Sequence, residues 1–271
     1  MEVVKIFLIV SVVALLLFFI IQVVGHFKGC KTLKDNFSRC NVIVSGKKGT
    51  GKDLLFQKVI NLRKKPYLSN ISYGGDYKEC CANDLELANN DYMSFIKNDI
   101  NIIDKSSLPY EGRDFYFSDC GIILPSQYDS TLHKLFKSFP ISYALSRHLW
   151  ANNIHCNTQD LGRIWKALRE QADFYIIAKG VKKLPFGLLR VDFNVYDKYE
   201  SAKSCLSPLS SRLWNKYSKA ERDLYIATNG LVESHFVYMR SRSIKYDTRA
   251  YHEKIFGVKY VAPSKRAKKS A

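Results

Sequence analysis

A glycine-rich loop carries the clearest chemical pattern in the sequence. Residues 45–53 read SGKKGTGKD, which matches the pattern of glycine, four residues, glycine and lysine at Gly46, Gly51 and Lys52. In such loops the backbone amides turn toward phosphate oxygens, the following helix start adds positive potential, and the lysine reaches the β and γ phosphates. The pattern predicts a phosphate-binding site, with a purely structural glycine turn as the alternative. The residues assigned to it are Gly46, Lys47, Lys48, Gly49, Thr50, Gly51, Lys52 and Asp53.

Asp53 departs from the usual pattern of this loop. A serine or threonine normally follows the lysine, and its hydroxyl ligates magnesium. A carboxylate is also a hard oxygen ligand, so Asp53 can hold Mg²⁺ directly or through water. Its negative charge weakens phosphate binding unless the metal or Lys47 and Lys48 offset it. The loop thus predicts ATP and Mg²⁺ as cofactors, with Asp53 as a metal ligand.

A second predicted strand ends in a carboxylate. Residues 115–119 read FYFSD, and an aspartate at the end of a neighbouring strand holds magnesium in nucleotide hydrolases of this class. Asp119 is therefore predicted as a second metal ligand and a catalytic residue, while a carboxylate that only caps a turn is the alternative. Cys120 and Gly121 stand where a water-polarising glutamate usually follows. The candidates to replace that glutamate are Glu111, Asp114 and Asp129.

The elements around these residues predict an α/β fold. Apolar residues 42–44 form a strand pattern before the loop, and residues 53–65 carry apolar side chains at helical spacing until Pro66. Further strand patterns lie at 114–124, 154–157, 173–180 and 188–197, and a helical pattern lies at 128–138. Strands that alternate with helices indicate a P-loop NTPase with a mainly parallel sheet flanked by helices, preceded by one N-terminal transmembrane helix.

The amino terminus predicts a membrane anchor over residues 1–25. Between Val3 and Val24 the apolar run is interrupted by Lys5, Ser11 and Gln22 alone. At about 1.5 Å per residue this run spans roughly 33 Å, enough for a hydrocarbon core of about 30 Å. A cleaved signal peptide is the alternative, but the run is longer than a signal core and no small-x-small cleavage site follows it.

Charge predicts the orientation of that anchor. Four basic residues follow the apolar run, while its N-terminal end has Lys5 beside Glu2, which favours an outside N-terminus and a cytoplasmic location for everything after residue 25. The seven cysteines agree with a reducing compartment, because they are odd in number and lack metal-ligand spacing. The residues that follow the run are Lys28, Lys31, Lys34 and Arg39.

The remaining chain divides into four predicted segments. Residues 26–40 are a basic linker, 41–204 the nucleotide-binding core, 205–256 an appended helical or mixed element with a helix near 212–225, and 257–271 a basic flexible tail. The net charge of +17 indicates an anionic partner such as nucleic acid or an anionic lipid surface. The tail suits the same partners, although a merely solvated tail is an equal alternative.

Several further stretches resemble a known family. They read GIILPSQYDSTL from residue 121, YALSRHLWANNIHCNTQDLGRIWKALREQADFYI from 143, YDKYESA from 196 and IKYDTRAYHEKIFG from 244. Over roughly residues 41–256 the chain resembles the zonular-occludens-toxin-like assembly ATPases of filamentous phages. The middle block is the most specific, because it combines Arg147 and His148, an apolar strand, Thr158 and Gln159, and then Arg163 and Arg169.

The resemblance implies a P-loop ATPase of the FtsK and HerA class that energises assembly and extrusion of a single-stranded DNA phage. It implies a single-pass protein of the host inner membrane, acting as a homo-oligomer, in a ring, with phage DNA or capsid and export proteins as partners. Lys52 and Asp53 would take the loop roles and Asp119 the metal-side strand role. Gln159 would be the sensor, and Arg163 or Arg169 the arginine finger. Many relatives place their membrane span after the ATPase domain, whereas this chain places it before.

Other interpretations remain open from the residues themselves. Gln159 can cap a turn, and Arg163 and Arg169 can form surface ion pairs with Glu170 and Asp173. A nucleoside monophosphate kinase also fits, because a lysine followed by aspartate occurs in some kinase loops. A nucleotide-binding membrane scaffold without turnover fits the aspartate at position 53 and the missing glutamate.

Overall fold

A computed structural model describes residues 2–79, 112–120, 143, 153–205 and 216–246. Several predictions concern residues outside these ranges. They are the helix at 128–138, Arg147 and His148, the candidates Glu111 and Asp129, the beginning of the helix near 212–225, and the tail at 257–271.

The described core is built on one eight-stranded sheet with the order β3-β2-β4-β5-β1-β6-β7-β8. The strands β1 to β6 pair in parallel, whereas β6, β7 and β8 form antiparallel neighbours. The predicted fold class, a mainly parallel sheet flanked by helices, is therefore confirmed. The strands are β1 Val42–Ser45, β2 Tyr67–Ser69, β3 Tyr77–Glu79, β4 Asp114–Phe117, β5 Ile154–Thr158, β6 Phe174–Leu184, β7 Leu188–Tyr196 and β8 Leu231–Arg240.

The central strand β1 shows why the sheet is covered on both faces. All four of its residues are buried, and the first three form a continuous apolar run, as in parallel strands between helices. Ile43 packs on one side with β4 and β5, while Val42 and Val44 pack on the other side with the first two helices. The sheet therefore separates two hydrophobic clusters, and the loop after β1 lies at its edge.

The helices follow the predicted pattern in part. Helix α2 spans Lys52–Arg63 and buries Leu54, Leu55 and Val59, as the spacing predicts, and Lys64 in a left-handed conformation ends it before Pro66. The shorter helices are α3 Lys166–Arg169, α4 Tyr199–Lys203 and α5 Lys219–Asn229. Helix α5 lies within the segment predicted as an appended element, but β8 from the same segment joins the main sheet beside β7.

Helix α1 spans Glu2–Arg39 without a break. The basic composition of residues 26–40 predicts a linker, yet in the structure residues 26–39 continue the helix and bury Cys30, Leu33 and Phe37 against the sheet. The first part of α1 is long and apolar enough to cross a membrane by length and composition. Within residues 26–39, Gly29 permits close packing on β8, because a Cβ there would lie 2.2 Å from the carbonyl oxygen of Phe236.

Candidate nucleotide-binding site

The glycine loop joins the carboxyl end of β1 to the start of α2. Gly46 has a φ of 152°, and a Cβ at this position would lie 2.6 Å from the carbonyl oxygen of Ala178. Gly51 caps α2 with a φ of 96° and has no side chain to occupy the first helical amides. The open amino end of a twelve-residue helix therefore faces the loop, and this arrangement favours a bound anion.

Lys52 is buried beneath the loop that it follows. Its Nζ donates hydrogen bonds to the carbonyl oxygens of Gly46 at 2.9 Å and Lys47 at 3.3 Å. Burial lowers the pKa of Lys52, while the nearby carboxylates of Asp53 and Asp119 act in the opposite direction. The ammonium group is thus held at the loop by carbonyl groups, where phosphate oxygens are its natural partners.

Asp53 links α2, the helix that follows the glycine loop, to the ends of the neighbouring strands β4 and β5. Its Oδ1 accepts hydrogen bonds from the hydroxyl of Tyr73 at 2.8 Å, the hydroxyl of Ser118 at 2.9 Å and the amide of Asn157 at 2.8 Å. Ser118 follows β4 directly, and Asn157 lies near the end of β5. Three neutral donors therefore fix the orientation of a carboxylate that sits on the first turn of α2.

Asp119 lies in the turn after β4 and faces the same site. Its backbone adopts a φ of 50°, and its amide donates to Oδ1 of Asn157 at 2.7 Å. Burial and the charge of Asp53 raise the pKa of Asp119, whereas Lys52 and a side-chain hydrogen bond with Gln159 lower it. Lys52, Asp53, Asp119 and Gln159 thus meet where β1, β4 and β5 end, at the edge where parallel sheets bind ligands.

Sequence reasoning did not assign Ser118, Asn157 and Tyr73 to this site. A signal for two of them was present, because Ser118 and Asn157 are polar residues within otherwise apolar strand patterns and both are buried. Their contact depends on the register between β4 and β5, which aligns Phe117 with Cys156. Adjacent parallel strands therefore end together and bring these two side chains to Asp53.

A cleft of about 470 Å³ lies beside the loop. Gly46, Lys47, Thr50 and Gln159 line one part of it. The other part is lined by Asn194, Tyr196, Ala202 and Cys205, among others. The volume falls in the usual range for small-molecule sites of about 300–1,000 Å³.

Asn194 presents an unusual polar group in this cleft. Its Nδ2 donates to the hydroxyl of Tyr196 at 2.9 Å, but its buried Oδ1 has no partner within the described ranges. An unpaired buried acceptor costs free energy, so a hydrogen-bond donor that reached this atom would stabilise the site.

Neither of the two candidate arginines is among the residues that line this cleft. Arg163 is exposed in the short turn at Leu161–Arg163. Arg169 stacks on the ring of Tyr199, with its Cζ 4.4 Å from the ring centroid, and donates to the Tyr199 hydroxyl at 2.6 Å. Glu170, one of the two candidate ion-pair partners of these arginines, pairs with Lys166 at 3.5 Å.

Comparisons with known proteins give similarity to solved structures. No protein-family model matches the chain, and no curated protein matches it. The crystal structure of the N-terminal domain of zonular occludens toxin from Neisseria meningitidis is similar over 66% of this chain and 99% of its own, at 14% identity and a TM-score of 0.38. That domain belongs to the family that the sequence resembles.

Two other similar structures are viral and secretion proteins. The genome packaging NTPase B204 from Sulfolobus turreted icosahedral virus 2, in complex with ATP-gammaS, is similar over 78% of this chain and 96% of its own, at 15% identity and a TM-score of 0.35. The cytoplasmic domain of the Thermomonospora curvata type VII secretion ATPase EccC is similar over 60% of this chain and 24% of its own, at 11% identity and a TM-score of 0.37. At TM-scores this low, these similarities carry no weight for the activity.

Proposed function

We propose that the chain is a P-loop ATPase that binds ATP at residues 46–53 and hydrolyses it. One observation carries the proposal: Lys52, Asp53, Asp119 and Gln159 converge at the carboxyl ends of three parallel strands, beside a glycine loop that leads into a helix start. The loop amides and Lys52 bind the β and γ phosphates, and Gln159 orients the attacking water.

The donor set of the site fits Mg²⁺. The carboxylates of Asp53 and Asp119 and the hydroxyl of Ser118 are hard oxygen ligands. Within the described residues there is no group of three or more His, Cys, Asp or Glu side chains that could hold a metal. This agrees with an ion that is held by one or two carboxylates and by the substrate phosphates. Bound Mg²⁺ would neutralise charge on the transferring phosphoryl group.

The cleft supports adenine as the base. Asn194 lines the part of the cleft that lies away from the loop glycines, and its buried Oδ1 needs a hydrogen-bond donor. The exocyclic amino group of adenine is such a donor, whereas guanine carries an acceptor at the equivalent position. Recognition by Asn194 therefore favours ATP over GTP.

The proposed setting is the host inner membrane, with the N-terminus outside and the ATPase domain in the cytoplasm. The apolar part of α1 and the basic residues after it support this placement. The sequence resemblance supports a role in assembly and extrusion of a filamentous single-stranded DNA phage, with DNA or capsid and export proteins as partners. The sites would be completed in a homo-oligomeric ring, to which an exposed Arg163 or a released Arg169 contributes from the next copy.

The test is ATP hydrolysis by the full-length protein in lipid vesicles, over a range of protein concentrations and with or without single-stranded DNA. We expect turnover that rises steeply with concentration, disappears in Lys52→Ala and persists in the matched control Lys219→Ala on α5. Vesicle flotation of Lys52→Ala shows whether membrane insertion is retained. Nucleotide binding without turnover would instead favour a scaffold, and transfer of phosphate to a soluble nucleotide would favour a kinase.

A further inference from the structure

The contact between Asp53 and Ser118 reverses a familiar arrangement. In P-loop NTPases the hydroxyl that binds magnesium stands on the helix after the lysine, and a carboxylate stands at the end of a neighbouring strand. Here the carboxylate stands on α2 and the hydroxyl stands one residue beyond β4, with 2.9 Å between Ser118 Oγ and Asp53 Oδ1. The same two groups join the same two elements, but their positions are exchanged.

We propose that Asp53 and Ser118 form an exchanged magnesium pair, and that Asp119, the next residue, is thereby released to position the attacking water. This inference rests on the proposed ATPase function and assigns roles within that site. It gives Ser118 a metal role that the sequence pattern alone assigns to Asp119.

The exchange resolves the charge problem that Asp53 creates. One carboxylate and one hydroxyl near the phosphates carry the same total charge whichever element supplies each group. An aspartate at position 53 together with a carboxylate at position 118 would add one negative charge and repel the nucleotide. Tyr73 and Asn157 also donate to Asp53 Oδ1, so the carboxylate is fixed in place before any ion arrives.

Asp119 occupies the position that the exchange leaves open. It directly follows the metal-side residue of its strand, as the water-polarising glutamate does in the common pattern. A hydrogen bond with Gln159 and an amide held by Asn157 orient it toward the loop. As the water oxygen bonds to the γ-phosphorus, Asp119 accepts the water proton, and the bond from that phosphorus to the bridging oxygen of ADP breaks.

An exchange of the two side chains tests the pair. We compare Asp53→Thr, Ser118→Asp and the double variant Asp53→Thr/Ser118→Asp in the full-length protein. The readouts are the Mg²⁺ dependence of the affinity for a fluorescent ATP analogue, and Mn²⁺ binding by electron paramagnetic resonance. Asp53→Thr should lose about tenfold or more of the metal-dependent gain in affinity. Ser118→Asp should weaken nucleotide binding through its added negative charge, and the double variant should recover most of both losses. A double variant no better than either single variant overturns the pair.

A second test uses the single variant Asp119→Asn. It does not depend on whether the double variant Asp53→Thr/Ser118→Asp folds. We expect this variant to keep metal-dependent nucleotide binding and to lose turnover, whereas Ser118→Ala should lose metal dependence. Loss of metal-dependent binding in Asp119→Asn, with Ser118→Ala unchanged, would make Asp119 the metal ligand and refute the exchange. Absence of any nucleotide binding by the unaltered protein would instead refute the ATPase function itself.

A different observation concerns the turn between β6 and β7, at Leu184 to Gly187. Phe186 is fully exposed at this tip. Two exposed basic residues lie near it: Lys183 is the penultimate residue of β6, and Arg240 of β8 pairs with Leu188 at the start of β7. An exposed aromatic ring with basic neighbours is typical of a surface that meets anionic lipid.

The contacts of α1 show which way this tip points. Thr32 contacts His235 at 3.2 Å, His26 accepts from the amide of Tyr238 at 3.0 Å, and Gln22 accepts from the Tyr238 hydroxyl at 2.8 Å. From Thr32 to Gln22, in the direction of the apolar part of α1, the contacts therefore shift along β8 from His235 toward Arg240. Arg240 lies beside the tip. Arg190 of β7 also reaches Gln22, at 3.2 Å.

We infer that the β6–β7 tip inserts Phe186 into the interface of an anionic lipid bilayer, beside the point where α1 enters it. The occupant is lipid, because the tip continues the surface of a helix suited to span a membrane and carries the charge opposite to anionic headgroups. The tip and the helix then contact the same leaflet.

Tryptophan fluorescence tests this surface in the full-length protein. Phe186→Trp and the matched control Leu224→Trp, which replaces an exposed apolar residue on α5, are inserted into anionic vesicles that contain brominated lipid. Above the background of the three native tryptophans, we expect quenching for Phe186→Trp alone. Equal fluorescence changes in both variants would refute tip insertion. Failure of the unaltered protein to float with vesicles would instead refute the membrane anchor.

Discussion

Replacement of Phe37 by alanine tests whether the end of α1 belongs to the folded core. The ring is fully buried, and its centroid lies 4.6 Å from that of His155, 6.1 Å from that of Phe56 and 6.2 Å from that of Tyr116. Its removal leaves a cavity among these three rings, which typically costs about 3–5 kcal/mol. That loss is about a fifth or more of the roughly 5–15 kcal/mol that stabilises an ordinary domain.

The assay is urea unfolding of the full-length protein in mild detergent, followed by tryptophan fluorescence. Lys34→Ala is the matched control, because Lys34 is exposed one turn earlier on the same helix. We expect the control to change the free energy of unfolding by no more than about 0.5 kcal/mol. If Phe37→Ala costs no more than Lys34→Ala, residues 26–39 do not stabilise the domain and the linker interpretation is correct.

Three further predictions concern buried polar groups. Burial, with the charge of Arg63 nearby, lowers the pKa of His155 well below its usual 6.5. The unfolded chain therefore binds a proton that the folded chain excludes, so stability should fall by up to about 1.4 kcal/mol per unit as pH drops below about 6.5. Urea titrations of His155→Phe should lack this slope, and an unchanged slope would assign it elsewhere. Asp114→Ala should cost about 3–5 kcal/mol in thermal or urea unfolding, because it leaves Arg63 charged and buried. Asp114→Leu combined with Arg63→Met should cost less, and an equal cost would argue against a stranded charge. Asn194→Leu should reduce the preference for ATP over GTP by about tenfold in competition binding, and an unchanged preference would place the base elsewhere.

Much of the fold was predictable because the central strands are apolar runs. The runs around Val42, Phe115, Ile154 and Phe174 predict strands, and each forms one. Strand β2 was not predicted, because three residues that include a tyrosine and a serine carry little periodic signal. Strand β8 mixes charged and apolar residues, so its place beside β7 depends on pairing that local sequence does not encode.

The site was predictable where motif spacing determines position. The glycine loop gave the positions of Lys52 and Asp53, the end of a strand pattern gave Asp119, and the family resemblance gave Gln159. The donors to Asp53 were not predictable in the same way, because Tyr73 comes from a segment without a pattern and the position of Asn157 depends on strand register. The helix over residues 26–39 was not predicted, because basic residues on its exposed face interrupt the apolar spacing of Leu33 and Phe37.

Under the proposed function at a membrane, the unbroken course of α1 has a mechanical consequence. The C-terminal part of α1 packs on the sheet and the helix is unbroken. The domain therefore cannot rotate independently of the apolar part of the helix. Residues 2–21 extend roughly 30 Å beyond Gln22, where α1 contacts β7 and β8, at about 1.5 Å per residue. A tilt of the domain by roughly 10° would therefore move the outer end of the helix by about 5 Å, roughly one helical turn. In the proposed arrangement, α1 acts as a lever arm that transmits movements of the domain during the nucleotide cycle to the far face of the bilayer.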